Sequence, residues 1–123
     1  MKKQHGFTLI ELLIALVIIG IVGALAFPSY QQYMMRSARS DAYVGLTRLA
    51  DLQERFALVN YRYGTDAEVS AVTDNGLYIL TTTLVGTGYI LTADGSGSNQ
   101  ANDTGCVQIT LTSAGQRAPA MCW

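Results

Sequence analysis

Charge is what this chain has least of. Of its 123 residues, 17 are Asp, Glu, Lys or Arg. That is 14%, against about a quarter in ordinary soluble domains. Histidine is scarcer still, the one copy being His5. Two cysteines, Cys106 and Cys122, permit at most one internal disulfide and argue against a disulfide-rich scaffold. There is no CxxC pair, no phosphate-binding glycine loop and no cluster of metal-ligating residues. Nothing in the spacing of the carboxylates pairs them for acid–base work. The expectation is a protein that is not an enzyme, with no metal and no cofactor. A net charge of −1 and a pI near 5.6 argue against a strongly electrostatic nucleic-acid binder. The length argues against two folded domains.

What the chain does have is one long apolar run. From Phe7 to Phe27, 17 of 21 residues are apolar, and the only charge is Glu11. As a helix this segment is about 31 Å long, enough to cross a bilayer core of about 30 Å. Lys2 and Lys3 precede it, which places the N-terminus in the cytoplasm and the rest of the chain outside the inner membrane. A secretory signal peptide has a similar layout, and Ala24-Leu25-Ala26 offers the small-residue pattern of a cleavage site. A plain uncleaved anchor is a further alternative. Neither accounts for a carboxylate inside the apolar run, where a charge at mid-membrane costs about 2.5–3.5 kcal/mol. Thr8-x-x-Glu11 fits a helix capping box, the simplest structural explanation. The functional alternative is that Glu11 meets a positive partner inside a dry assembly.

The string Gly6-Phe7-Thr8-Leu9-Ile10-Glu11-Leu12 resembles the leader junction of type IV pilins and of the pseudopilins of type II secretion. The likeness continues in Pro28-Ser29-Tyr30, Arg39-Ser40-Asp41-Ala42, Gln53-Glu54-Arg55-Phe56 and the terminal Cys122-Trp123. The later pieces look most like the PilE-type minor pilins. The resemblance implies that residues 1–6 are a leader, that a prepilin peptidase cuts between Gly6 and Phe7, and that the new Phe7 amine is N-methylated. Gly6 presents no side chain to an enzyme gripping the backbone. In a filament core Glu11 would neutralise the Phe7 amine of a neighbouring subunit and set axial register. An intramolecular contact between the same two residues, four apart on one helix face, is equally open from the sequence. Cleavage removes Lys2, Lys3 and His5, leaving six basic against nine acidic side chains. Without His5, no Ser–His or Cys–His arrangement remains.

Residues 28–60 read as the amphipathic second half of the same helix. Pro28 removes a helix hydrogen bond, and Gly20 and Gly23 weaken the helix just upstream. The resembling family uses this region as a joint; a mild bend without a role is the simpler alternative. Ala42, Gly45, Leu46, Leu49, Leu52, Phe56 and Val59 recur at spacings of three and four. Arg48, Asp51, Gln53, Glu54 and Arg55 take the other face. The helix should end near Asn60, after about 54 residues or about 80 Å.

Residues 61–123 change period after the Asn75-Gly76 turn signal. Leu77–Leu84, Tyr89–Ala93 and Cys106–Thr112 read as three strands of an antiparallel meander covering the helix stripe. The fold class is therefore α+β: a long N-terminal helix packed on a small antiparallel sheet. Asp94 to Gly105 should be an exposed loop. Some pseudopilins carry a calcium loop, which directs attention to Asp94 and Asp103, but no EF-hand spacing occurs and Gly/Ser/Asp runs are usually turns. Cys106 and Cys122 lie outside the membrane, where a disulfide persists. Closing their loop contributes about 3 kcal/mol by chain entropy. That pairing agrees with the disulfide-bounded C-terminus of the resembling family.

The expected function is a structural subunit of a type IV pilus, a minor pilin, supporting pilus assembly, twitching motility and adhesion. Its partners would be other pilin subunits, the prepilin peptidase, the inner membrane and the assembly machinery. It would sit in the inner membrane before assembly and in an extracellular fimbrium afterwards. The alternatives are a type II secretion pseudopilin and a DNA-binding minor pilin. The acidic balance past the helix disfavours nucleic acid.

Overall fold

The computed structural model describes residues 6–123. One helix, α1, runs Leu9–Asn60 and carries Pro28 inside it. Four strands follow: β1 (Ile79–Val85), β2 (Gly88–Asp94), β3 (Gln108–Thr112) and β4 (Arg117–Ala118). Short 3-10 turns occupy Asn99–Asn102 and Ala120–Cys122. The chain divides into two units, one ending at Tyr33 and one spanning Met34–Trp123.

The first unit contains the N-terminal part of α1. It is long and apolar enough to cross a membrane, and its apolar window has no buried residue. Leu9, Ile10, Leu12 and the large apolar side chains through Phe27 all stand exposed. Nothing lies within reach of a side chain added at Gly20 or Gly23.

The second unit holds the core. The antiparallel sheet has the order β1-β2-β3-β4. On β2, Tyr89, Leu91 and Ala93 are buried, and they alternate with half-exposed residues. They join Ile109 of β3 and Ala42, Leu46 and Leu49 of α1 in one cluster. The strict alternation is what a sheet with one covered face requires. Gly45 lies on the packed stripe because a side chain there would meet Thr73 Cγ2 at 2.8 Å and Leu80 Cδ1 at 3.0 Å.

The helix stripe departs from the sequence expectation at its C-terminal end. Leu52 and Val59 are exposed, while Gln53, read as an outer-face residue, is fully buried. Its amide donates to Gly64 O and accepts from Gly64 N, both at 2.9 Å. A buried polar side chain is tolerated when its hydrogen bonds are made, and this one completes the backbone of the turn leaving the helix. Val69 closes against Gly64, where an added Cβ would sit 2.6 Å from Val69 Cγ2. Tyr61, with φ +56, ends α1 in the left-handed conformation that commonly stops helices.

The sheet also extends the predicted meander. Cys106 and Val107 precede β3 rather than starting it, and the two-residue β4 pairs with Thr110 and Leu111. Residues 95–105 form the expected loop, mostly exposed but anchored to the folded unit at three buried positions. Gly95, Gln100 and Asp103 are buried, because Gln100 Nε2 donates to Met35 O at 3.2 Å and Asp103 pairs with a helix arginine. Glycine and serine content signalled irregular backbone correctly but carried no information about what that backbone packs against.

Candidate assembly site

Two sets of residues matter: the start of the apolar helix and the clasp that holds the C-terminus. At the helix start, Glu11 Oε2 accepts from Thr8 N and Thr8 Oγ1, both at 2.7 Å. Glu11 N donates back to Thr8 Oγ1 at 3.3 Å. This is the reciprocal capping box that the spacing allows, satisfying donors that the first helical turn leaves open. Phe7 is 90% exposed. Among the described residues, no hydrogen bond joins it to Glu11. The single subunit therefore gives Glu11 a local partner without using the Phe7 backbone.

In the second unit, Arg39 reaches Asp103 with two parallel bonds of 2.7 Å, Nε to Oδ2 and Nη2 to Oδ1. The side chains are 14% and 8% exposed. The Asp103 hydrogen bond and charge hold the guanidinium firmly protonated, against the opposing effect of burial. One turn along α1, Tyr43 OH donates to the Cys122 carbonyl. Burial raises the Tyr43 hydroxyl above its ordinary value. Trp123 stacks on Tyr43 with ring centroids 4.9 Å apart, and Arg117 lies 4.8 Å over the indole. Cys106 and Cys122 are bonded, with Cα atoms 5.6 Å apart. The disulfide, the bidentate ion pair and the aromatic stack together fasten the C-terminal residues to one helix face.

Comparison with known proteins places these features in a family. Residues 1–27 match the prokaryotic N-terminal methylation motif. Residues 28–110, two thirds of the chain, match the family described as "Type IV minor pilin ComP, DNA uptake sequence receptor". The chain belongs to this family of type IV minor pilins. It is similar to fimbrial protein EcpC of Eikenella corrodens, 36% identical over 104 residues, 71% of this chain and 67% of that one. A fimbrial protein of Pseudomonas aeruginosa is 34% identical over 116 residues, 91% of this chain and 70% of its own. A probable minor fimbrial protein of Dichelobacter nodosus is 54% identical over 37 residues, 30% of this chain and 23% of its own.

The sequence-predicted residues of the minor pilin fall as follows. Gly6 and Phe7 precede the helix and are exposed. The helix continues through Gly20, Gly23 and Pro28. Asp94 and Asp103 do not converge on a metal. Asp94 accepts from Ser96 N at 2.8 Å and Gln108 Nε2 at 3.0 Å, and the Ser96 hydrogen bonds lower its carboxyl pKa. Asp103 faces the Arg39 guanidinium, which repels a cation. Lys2, Lys3 and His5 lie outside the described residues.

Sequence reading anticipated the disulfide of the clasp but missed its ion pair and aromatic stack. Arg39 and Asp103 are 64 residues apart, and no local spacing links them. Asp41, two residues from Arg39 in the motif Arg39-Ser40-Asp41-Ala42, takes no part in the clasp. It is instead 4% exposed and accepts from Asn75 N at 3.0 Å, Asn75 Nδ2 at 3.2 Å and Leu77 N at 3.3 Å.

Proposed function

We propose that this minor pilin joins a type IV pilus as a processed subunit, cut between Gly6 and Phe7 and N-methylated at Phe7. The observation that carries the reading is an apolar helix with no buried side chain, headed by Thr8 and Glu11, in the segment matching the methylation motif. Such a surface is stable only in lipid or among other helices, since water-exposed apolar area costs about 25 cal/mol per Å². The basic leader holds the N-terminus in the cytoplasm, with the clasped unit outside. The capping box keeps the Glu11 carboxylate hydrogen-bonded while the subunit waits in the bilayer, lowering the cost of a charge in an apolar helix.

On assembly, the carboxylate would exchange Thr8 for the Phe7 amine of a neighbour. A buried ion pair of this kind is costly to break without being a strong net stabiliser, so its contribution is axial register. Gly20, Gly23 and Pro28 supply the joint, where the helix is short of one hydrogen bond and of side-chain packing. Mass spectrometry of subunits from sheared pili tests the processing. A methylated Phe7 start is expected, and a start after Ala26 would instead mean signal-peptide cleavage.

A second reading, DNA reception for uptake, draws on the family description over residues 28–110. The electrostatics limit it. In the folded unit Arg39, Arg48, Arg55 and Arg62 each face a carboxylate, leaving Arg36 and Arg117 without one among the described residues. Phosphate contacts from so few free cations give weak, strongly salt-dependent binding. A gel-shift titration decides: tight retardation of duplex DNA at physiological salt, lost in Arg36→Ala/Arg117→Ala, would establish the receptor role.

A further inference from the structure

Asn75-Gly76 is the only Asn-Gly pair in the sequence. It sits in the turn between α1 and β1, with Gly76 at φ +67 and both residues exposed. The Asn75 side chain is not idle. Its Nδ2 and its backbone N both donate to Asp41 Oδ1, and Leu77 N donates to Oδ2. Asp41 is 4% exposed and has no ion-pair partner among the described residues. The nearby Arg48 is committed to Asp74 at 2.9 Å and to Val72 O at 3.4 Å. The buried carboxylate is therefore satisfied by N–H donors from this one turn. The same turn delivers Thr73, whose methyl packs on Gly45 of the helix.

We infer that Asn75 is a deamidation site, and that its conversion unlatches the turn between α1 and β1 from Asp41. The chemistry is intramolecular. The Gly76 backbone nitrogen attacks the Asn75 Cγ carbon, a C–N bond forms, and ammonia leaves with the transferred proton. Water then opens the resulting succinimide to aspartate or isoaspartate. No oxidant or reductant takes part. Glycine at 76 favours ring closure because no side chain crowds the attacking nitrogen.

In the closed turn both reacting groups are held. Gly76 N donates to Thr73 O at 3.3 Å, and the Asn75 amide is pinned to Asp41. Reaction therefore proceeds from the locally opened turn. The product replaces a donor with a carboxylate facing a buried carboxylate, and two such groups sharing a site cannot both stay ionised without opposing closure. Isoaspartate also adds a methylene to the backbone at a turn whose geometry is set by its neighbours. Opening leads to conversion, and conversion prevents reclosure. The turn thus records, irreversibly, how long a subunit has spent open.

The test uses the full-length oxidised chain in detergent micelles at mildly alkaline pH, with peptide mass mapping at Asn75. Conversion should run about tenfold or more faster in denaturant than in the folded chain, as local opening gates it. Asp41→Asn, which removes the buried charge, should move the folded rate toward the denatured one. Equal rates in folded and denatured wild type would overturn the latch, independently of whether Asp41→Asn folds. Asn75→Asp stands in for the product. It should lower Tm and speed hydrogen exchange at residues 75 and 77, and both effects should shrink in an Asp41→Asn background. An Asn75→Asp chain that melts and exchanges like wild type would overturn the unlatching.

Discussion

Glu11, Arg39 and Glu68 are three charged side chains whose surroundings differ enough to predict different behaviour. Glu11 is hydrogen-bonded to Thr8 within the subunit. Glu11→Ala should leave the folded unit intact and cut pilus incorporation, measured as the ratio of sheared to cell-bound subunit. Incorporation equal to wild type would remove the register role. Arg39 and Asp103 are largely buried and bidentate. Removing one partner of such a pair strands the other, at about 3–5 kcal/mol. Asp103→Ala should therefore lower Tm markedly, while the exposed Asp51→Ala, facing Arg55 across one turn, should shift stability by less than about 0.5 kcal/mol.

Glu68 is exposed, and Arg62 with Thr65 holds its carboxyl down at about 2, against an ordinary 4.5. A carboxyl lowered on folding contributes stability that is fully present above 4.5 and is lost as pH falls toward 2. The Tm gap between wild type and Glu68→Gln should close across that interval; a gap that widens would reverse the assignment.

At the scale of elements, the helix was readable in the sequence nearly to the residue, because its period and its end signals are local. Expected to end near Asn60, it does so, with Tyr61 in the left-handed conformation. The buried stripe was readable through Ala42, Gly45, Leu46 and Leu49 and failed at Leu52, Gln53 and Val59. The period places Leu52 and Gln53 on either side of the stripe, and hydrophobicity favours Leu52. The choice went to Gln53 because the backbone of Gly64 needed both an acceptor and a donor there. Gly45 lies in close contact with the turn at Thr73. Gly45→Ala gains about 1 kcal/mol of helix propensity but adds an overpacked methyl costing about 1–3 kcal/mol. A net loss of stability in thermal melts is expected, recovered in part when Thr73→Ser removes the opposing methyl.

For the whole molecule, the described segment through Phe27 and the clasped sheet unit differ in what they bury. The first has no buried side chain among its described residues, and the second has a small core closed by one disulfide. Cys106→Ser/Cys122→Ser should lose about 3 kcal/mol of stability by chain entropy. It should also loosen Tyr43 and Trp123, which meet the tail beside the bond. Reduced accumulation of the protein in cells, read by immunoblot, would follow.

The sequence by itself determined the apolar helix, its lone carboxylate, the α+β class and the single possible cysteine pairing. These rest on composition, on local periodicity and on there being only two cysteines. Tertiary structure alone decided that Asp103 belongs to Arg39, that Asp41 caps a distant turn, that Gln53 is inside, and that the loop after β2 is anchored through Gly95, Gln100 and Asp103. Each of those depends on which polar group the folded backbone leaves needing a partner, and that need arises only once residues far apart in the chain are brought together.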